Sequence, residues 1–340
     1  MVLVENMENY ILKDKVLAKL FIFAICAIIC LYSCTAYSSN LHSEVSHINN
    51  IESPFYEDDI CVKLLNNGSL TNVHSSSPTI YINDDNTYIT DTKDNKLYRY
   101  GNNGEKLFIA NNARKCFYIR GVLYFELWEG SSFSERKLAC YANNKTTVLV
   151  NDCTFAYGKS GIYYKINGES KLYRLSYNTN EITFVTTIQK NYYFNAEYKG
   201  LLWFYGPDGM YCSNLDGSEM KLMIPGCYSV LGYRSNNIFF IKNNSLQKFS
   251  LLTNEIDDLA IPLRNVRAFN FTDNLCLIAD ENGLFAFDSD FSTKRELLYD
   301  EHIYSICISN NVIIVASTVD YENDIYRRIN EEGEIIYTLD

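Results

Sequence analysis

Proline and histidine are scarce in this chain of 340 residues, at five and four. So few prolines exclude a collagen-like or proline-rich chain. The histidines are His42, His47, His74 and His302, and no His-Glu-x-x-His or paired Cys-x-x-Cys accompanies them. The sequence therefore offers no zinc or facial-triad site. It also lacks a Gly-x-Ser-x-Gly elbow and a phosphate-cradling glycine loop, so neither a catalytic residue nor a cofactor nor a metal is expected. Basic charge is in deficit as well, with 30 Lys and Arg against 41 Asp and Glu and a formal net charge of -11. A nucleic-acid partner needs clustered cations for its phosphates and is excluded on that ground.

Aromatic residues are abundant instead, with 28 tyrosines and 19 phenylalanines in a composition that is 47% hydrophobic. Rings fit a pleated, half-buried surface, so the chain is expected to be all-β.

The N-terminus reads as an address. Lys13, Lys15 and Lys19 precede an apolar run, Leu20 to Tyr32, of thirteen residues. A membrane-spanning helix needs about 20 residues, whereas a signal-peptide core of roughly 7 to 15 follows a positive flank. Residues 1–33 are expected to be a signal peptide. Leu31-Tyr32-Ser33-Cys34 resembles the lipobox of bacterial lipoproteins, which implies lipid on Cys34 and a membrane-anchored, extracytoplasmic protein. An uncleaved anchor reaching back to Val16, or plain cleavage near Ala36, are the alternatives. Residues 34–54, rich in Ser, Asn and His, then form a flexible tether. Residues 1–33 carry three lysines against Glu5, Glu8 and Asp14, so their removal leaves the charge at -11.

From residue 55 to 340 a repeat dominates. Lys96-Leu-Tyr-Arg-Tyr recurs as Lys171-Leu-Tyr-Arg-Leu, and looser copies begin at Leu138, Met210, Leu246, Leu284 and Ile325. Counted from Leu97, the anchors lie 41, 34, 38, 36, 38 and 41 residues apart. Each unit holds four short apolar runs separated by turn residues. Around Met210 these are Tyr192 to Ala196, Leu201 to Tyr205, Met210 to Ser213 and Met220 to Ile224. Asp-Gly and Asn-Gly pairs supply the positive φ angles of tight hairpins. Four-stranded meanders of this length bury both faces by radial repetition, so a β-propeller of seven blades is predicted, with six or eight as alternatives. An earlier segment, Ile60 to Leu65 with Ser69 to Val73, reads as a hairpin that helps close the ring against the blade at 303 to 340.

Trp203-Phe-Tyr-Gly-Pro-Asp-Gly-Met-Tyr-Cys-Ser-Asn-Leu215-Asp-Gly-Ser218, with the outer run to Ile224, resembles a blade of the low-density-lipoprotein-receptor, Tyr-Trp-Thr-Asp type of propeller, as found in bacterial surface lipoproteins. The tetrapeptide itself is absent. The resemblance implies a binding or scaffold role and transfers no catalytic residue. A protein, peptide or glycan partner is therefore expected, and a carbohydrate hydrolase or lyase with carboxylates at the channel is the alternative.

Candidate ligand-binding residues follow from position and type. Arg99, Arg174 and Arg327 occupy the same place in three units and read either as a cationic ring facing an anionic ligand or as stems packed between blades. Trp128, Trp203, Tyr163, Tyr164, Tyr192 and Tyr193 read as an aromatic platform or as inter-blade core. Phe125 to Glu135, which includes Trp128 and Phe133, mixes polar and aromatic residues and reads as an exposed recognition loop. Beyond the N-terminal three, eight cysteines fall mostly within apolar runs and are expected to be unpaired core thiols.

Overall fold

The structure is a computed structural model. It describes residues 80–340 apart from 83–85, 92–93, 102–104, 129–134, 263–264, 300–301, 310–311, 319–323 and 340. The tether, Cys34, the 60–73 segment and Phe133 lie outside the described residues.

Seven four-stranded antiparallel sheets follow one another along the chain, each an up-and-down meander in sequence order. They span 80–111, 113–150, 153–187, 193–225, 230–262, 268–299 and 302–339, which we number as blades 1 to 7. First strands touch one another between blades 1 and 7, 1 and 2, 3 and 4, 5 and 6, and 6 and 7, so they are innermost. The fold is a seven-bladed β-propeller, all-β and without helices among the described residues. Blade 4 shows how closely the turn chemistry specifies the strands: Tyr193–Tyr198, Leu201–Gly206, Gly209–Ser213 and Lys221–Pro225.

Six of the seven anchors are the second residue of a third strand, and Leu138 is the third residue of its own. Leu97, Leu138, Leu172, Met210, Leu246 and Leu284 are completely buried, and Ile325 is half-buried. In six blades the register between third and fourth strands shifts at this anchor, a bulge that increases local twist. Blade 7 shifts instead between Arg328 and Ile329. In blades 4 and 6 the residue before the anchor is a glycine, with φ of 140° and 142°. A Cβ on Gly209 would lie 2.3 Å from the Ile224 carbonyl oxygen, and one on Gly283 would lie 2.1 Å from that of Leu298. The fourth strand comes this close only because no side chain is there.

Second strands are covered by neighbours on both faces, which explains continuous apolar runs such as Ile313 to Ala316, buried throughout. Aromatic rings fill the inter-blade space: Phe117 against Tyr157, Tyr163 against Phe194, Tyr198 against Tyr233 and Phe239 against Phe269. The tyrosines also clip blades together through their hydroxyls. Tyr81 donates to the Tyr118 carbonyl at 3.0 Å, and Tyr198 and Tyr205 accept the amide N–H groups of Asn236 and Val230 at 3.1 and 2.9 Å. Buried phenols need such partners.

Ring closure uses side chains. Ile80, Ile82 and Ile89 of blade 1 pack with Cys307, Ile314, Ala316 and Tyr326 of blade 7, and the Tyr326 hydroxyl donates to the Thr90 carbonyl at 3.4 Å. All four described strands of blade 7 come from 302–339. Cys116, Cys140, Cys153, Cys212, Cys227, Cys276 and Cys307 are free thiols, most of them buried. Burial pushes the Cys116 and Cys153 thiols up to about 12.

Candidate functional site

In an up-and-down meander the start of the first strand, the end of the second and the start of the third share one end of the blade. Blade 2 places Arg114, Trp128 and Arg136 at those three positions, in strands Ala113–Ile119, Val122–Trp128 and Arg136–Ala142. The Arg114 guanidinium lies 4.0 Å from the Trp128 ring centre and that of Arg136 lies 5.3 Å away. Such cation–π contacts hold both charges against the ring. Arg114 also donates to Asn95 of blade 1 at 3.2 Å. Burial pulls the Arg114 pKa down, with Glu126 opposing that shift and Arg136 adding to it.

Beneath the stack lies Glu126, only 1% exposed. Its Oε1 accepts a hydrogen bond from the Trp128 indole N–H. Its Oε2 faces Lys115 Nζ at 3.5 Å and Arg136 Nη1 at 3.9 Å. A buried carboxylate is stable only among such partners. Lys115 reaches it from a bulge, because the first two strands shift register between Arg114 and Phe117. Its φ is 50°, uncommon for a residue other than Gly or Asn, and the Tyr157 hydroxyl of blade 3 holds its carbonyl.

Lys115 also lines a cavity of about 320 Å³ that opens on the same end of blades 3 and 4. Thr154 and Phe155 of Cys153–Tyr157, Lys165 of Gly161–Ile166, and Phe194 and Asn195 of Tyr193–Tyr198 form its walls, with Tyr163, Tyr164, Tyr192 and Tyr193. Tyr193 is 65% exposed, whereas Tyr163, Tyr164 and Tyr192 are buried. Burial is the main cause that pushes the Tyr163 and Tyr164 hydroxyls up to about 12. The face of blades 2 to 4 therefore joins four cations, one buried carboxylate and a cluster of rings.

The structure brings Trp128, Tyr163, Tyr164, Tyr192 and Tyr193 together on this face, and the other candidates lie elsewhere. Trp203 is completely buried, its indole N–H donating to the Tyr198 carbonyl at 3.2 Å, so it belongs to the core and cannot touch a ligand. Arg99, Arg174 and Arg327 do occupy equivalent third-strand positions, in Lys96–Gly101, Lys171–Ser176 and Asp324–Ile329. Third strands stand two places out from the axis, so the three arginines do not ring the channel. Arg99 lines an outer groove between blades 1 and 2 with Glu105 and Tyr141. Arg174 points Nη1 at the Ser160 hydroxyl, 3.5 Å away, inside a network that joins blades 3 and 4. Arg327 is half-buried opposite Val315 and Thr338. Sequence reasoning missed Arg114, Lys115, Arg136 and Lys165, and it placed Glu126 in a stretch read as an exposed loop, whereas Phe125 and Glu126 are buried in the strand Val122–Trp128. The available signal was Glu126 itself, an acid set within the otherwise apolar second strand of blade 2.

Among the described residues no group of three or more His, Cys, Asp and Glu side chains is placed to hold a metal ion.

No family model matches the chain, and no curated protein matches it. Solved structures do. A prolyl endopeptidase studied for its inter-domain dynamics superposes with a TM-score of 0.55 at 9% identity, over 82% of this chain and 51% of that one. The chain thus spans about half the length of that enzyme. Apo AztD from Citrobacter koseri superposes with a TM-score of 0.52 at 10% identity, over 75% and 94% of the two chains. The nidogen/laminin complex, a distant neighbour with a propeller of the low-density-lipoprotein-receptor type, gives 0.41 at 10% identity over 64% and 92%. At such identities the likenesses to the endopeptidase and to AztD show the β-propeller fold and nothing finer.

Proposed function

We propose that this protein is a non-catalytic binding propeller that takes its partner, a protein, peptide or glycan, on the face of blades 2 to 4. The observation that carries this reading is the cavity beside Lys115, where exposed and half-buried rings meet cations in a chain of net charge -11. Concave sites with aromatic walls and a few converging polar groups are where small ligands bind. The buried glutamates favour binding over hydrolysis, since Glu126 is engaged by Trp128, Lys115 and Arg136, and Glu197 accepts hydrogen bonds from Ser160. A glycosidase needs two carboxyl groups flanking one bond, about 5 to 9 Å apart.

A fragment library screened by ligand-observed NMR tests the site. Hits should lose binding in Tyr193→Ala and keep it in Leu252→Ala, whose side chain is 76% exposed on another blade. Hits indifferent to Tyr193→Ala would put the binding surface elsewhere.

We further infer that the propeller works outside the cytoplasm as a lipoprotein of the low-density-lipoprotein-receptor-like type, tethered through Cys34. The basic flank, the thirteen-residue apolar run and the lipobox-like Leu31 to Cys34 support this. Membrane retention of Cys34→Ala is the test, and undiminished retention would sink lipidation as the tether.

A further inference from the structure

We infer that the cavity of blades 3 and 4 takes an acidic sugar, a pyranose bearing a carboxylate, with Lys115 and Lys165 meeting the carboxylate and Phe155 and Tyr193 packing on the ring. The inference rests on the reading of this face as the binding site and names its ligand class.

Size is the first argument. A cavity of about 320 Å³ lies at the small end of ligand pockets, which run from about 300 to 1,000 Å³. It suits one or two sugar units and is too small for a folded epitope.

Charge is the second. Lys115 and Lys165 both line the cavity, and Arg114 and Arg136 stand behind Lys115. Glu126 is the buried carboxylate set against three of these cations. Asp152 and Glu169, the other carboxylates beside the cavity walls, are engaged by Asn167 and the Tyr173 hydroxyl, so the charges that line the cavity itself are the two lysines, on a protein whose net charge is -11. Lys115 is aimed by its bulge and braced on Glu126, which leaves little side-chain entropy to lose when a ligand arrives.

The walls supply the third. Tyr193 is exposed, Phe155 and Phe194 are half-buried, and Thr154, Asn167 and Asn195 add one hydroxyl and two amides. A sugar presents a face of C–H groups, which rests on aromatic rings, and an edge of hydroxyls, each both donor and acceptor. Amides answer in kind, with an oxygen that accepts and an NH₂ that donates. Both amides are oriented beforehand: Asn167 donates to Asp152 at 2.6 Å and Asn195 to the Tyr233 hydroxyl.

An acidic peptide is the rival. Extended peptides bind by adding a strand to an open sheet edge. No fourth-strand residue lines this cavity, whose walls come from first, second and third strands, from the turn at Asn167 and Gly168, and from the segment entering blade 4.

The full-length protein is titrated with glucuronate, galacturonate, glucose and triglutamate, read by saturation-transfer NMR. Saturable binding of a uronate is expected, with glucose weaker by about tenfold or more. Lys165→Gln should weaken uronate binding about ten- to a hundredfold, the worth of a hydrogen bond to a charged group. Lys115→Gln should do the same, provided its melting temperature stays close to that of the parent. Equal binding of glucose and uronate would overturn the acid claim and leave the binding face standing. Triglutamate binding in place of the uronates would overturn the sugar class and likewise leave the face standing. Absence of uronate binding at about 10 mM, where even a Kd of about 1 mM would give near-saturation, would overturn the proposal. Uronate binding untouched by both Lys165→Gln and Tyr193→Ala would overturn the site, and with it the binding-face reading.

Discussion

Glu197, on the first strand of blade 4, accepts two hydrogen bonds from Ser160 in the first turn of blade 3, one from its amide N–H at 3.0 Å and one from its hydroxyl at 2.9 Å. The Tyr163 hydroxyl lies 2.9 Å from the same Ser160 oxygen. Glu197 is nearly inaccessible, so the network joins two blades through a desolvated charge. Gly158 permits it, since a Cβ there would lie 2.6 Å from Glu197 Oε2. Glu197→Ala should cost about 1–3 kcal/mol by stranding Ser160, and Gly158→Ala about 1–3 kcal/mol by overpacking. Urea unfolding of each variant measures both, and parent-like midpoints would show that the network does not hold the blades.

The seam between blades 7 and 1 makes a separate prediction. Tyr326 contributes one hydroxyl contact to Thr90 and a buried ring to the closing cluster. Tyr326→Phe should lose only about 0.5–1.5 kcal/mol, whereas Tyr326→Ala should lose about 3–5 kcal/mol. Equal losses in thermal unfolding would mean that the ring contributes nothing to closure.

The third-strand anchors should be costly to truncate wherever they are fully enclosed. Leu172→Ala and Met210→Ala should each lose about 2–5 kcal/mol. Leu252→Ala, exposed on the surface, should stay within about 0.5 kcal/mol of the parent. The same unfolding experiment ranks all three, and a Leu252→Ala loss matching that of Leu172→Ala would contradict the placement of the anchors.

Those anchors also mark what could be read in advance. A side chain that must fill the same space in every blade recurs at a near-constant interval, so Leu97 through Ile325 expose the repeat, and Asp-Gly and Asn-Gly pairs expose the hairpins. Strand ends are legible to within a residue or two, as in blade 4. Contacts between blades are not, because Glu197 and Ser160 lie 37 residues apart with nothing in either neighbourhood to name the other. The same holds for the site. Tyr192 and Tyr193 could be singled out as rings, but Lys115 joins them only through a bulge that leaves no mark in composition. Trp203 shows the converse: its type left open a surface platform or inter-blade core, and its mid-strand position in a sheet covered on both faces decides for the core.

Asp288 shapes the turn between the third and fourth strands of blade 6. The Thr293 backbone N–H, at 3.1 Å, and the Ser292 hydroxyl, also at 3.1 Å, hold its carboxylate down to about 2 from the ordinary 3.8. A carboxyl whose folded value is depressed adds stability that is fully present above the unfolded value and is lost as pH falls through the folded one. Melting temperature should therefore drop between about pH 4 and pH 2, and Asp288→Asn should lose the part of that drop due to this group. An unchanged acid limb in the variant would remove Asp288 from the account.

The central claim is that the face of blades 2 to 4 is the binding surface, and fragment-soaked crystals test it most directly. Fragments are expected in the cavity walled by Lys115, Phe155, Lys165, Tyr193 and Asn195, with carboxylate-bearing ones oriented toward the two lysines. Fragments clustering instead in the outer groove beside Arg99 or between blades 4 and 5, with the Lys115 cavity empty of them, would contradict it.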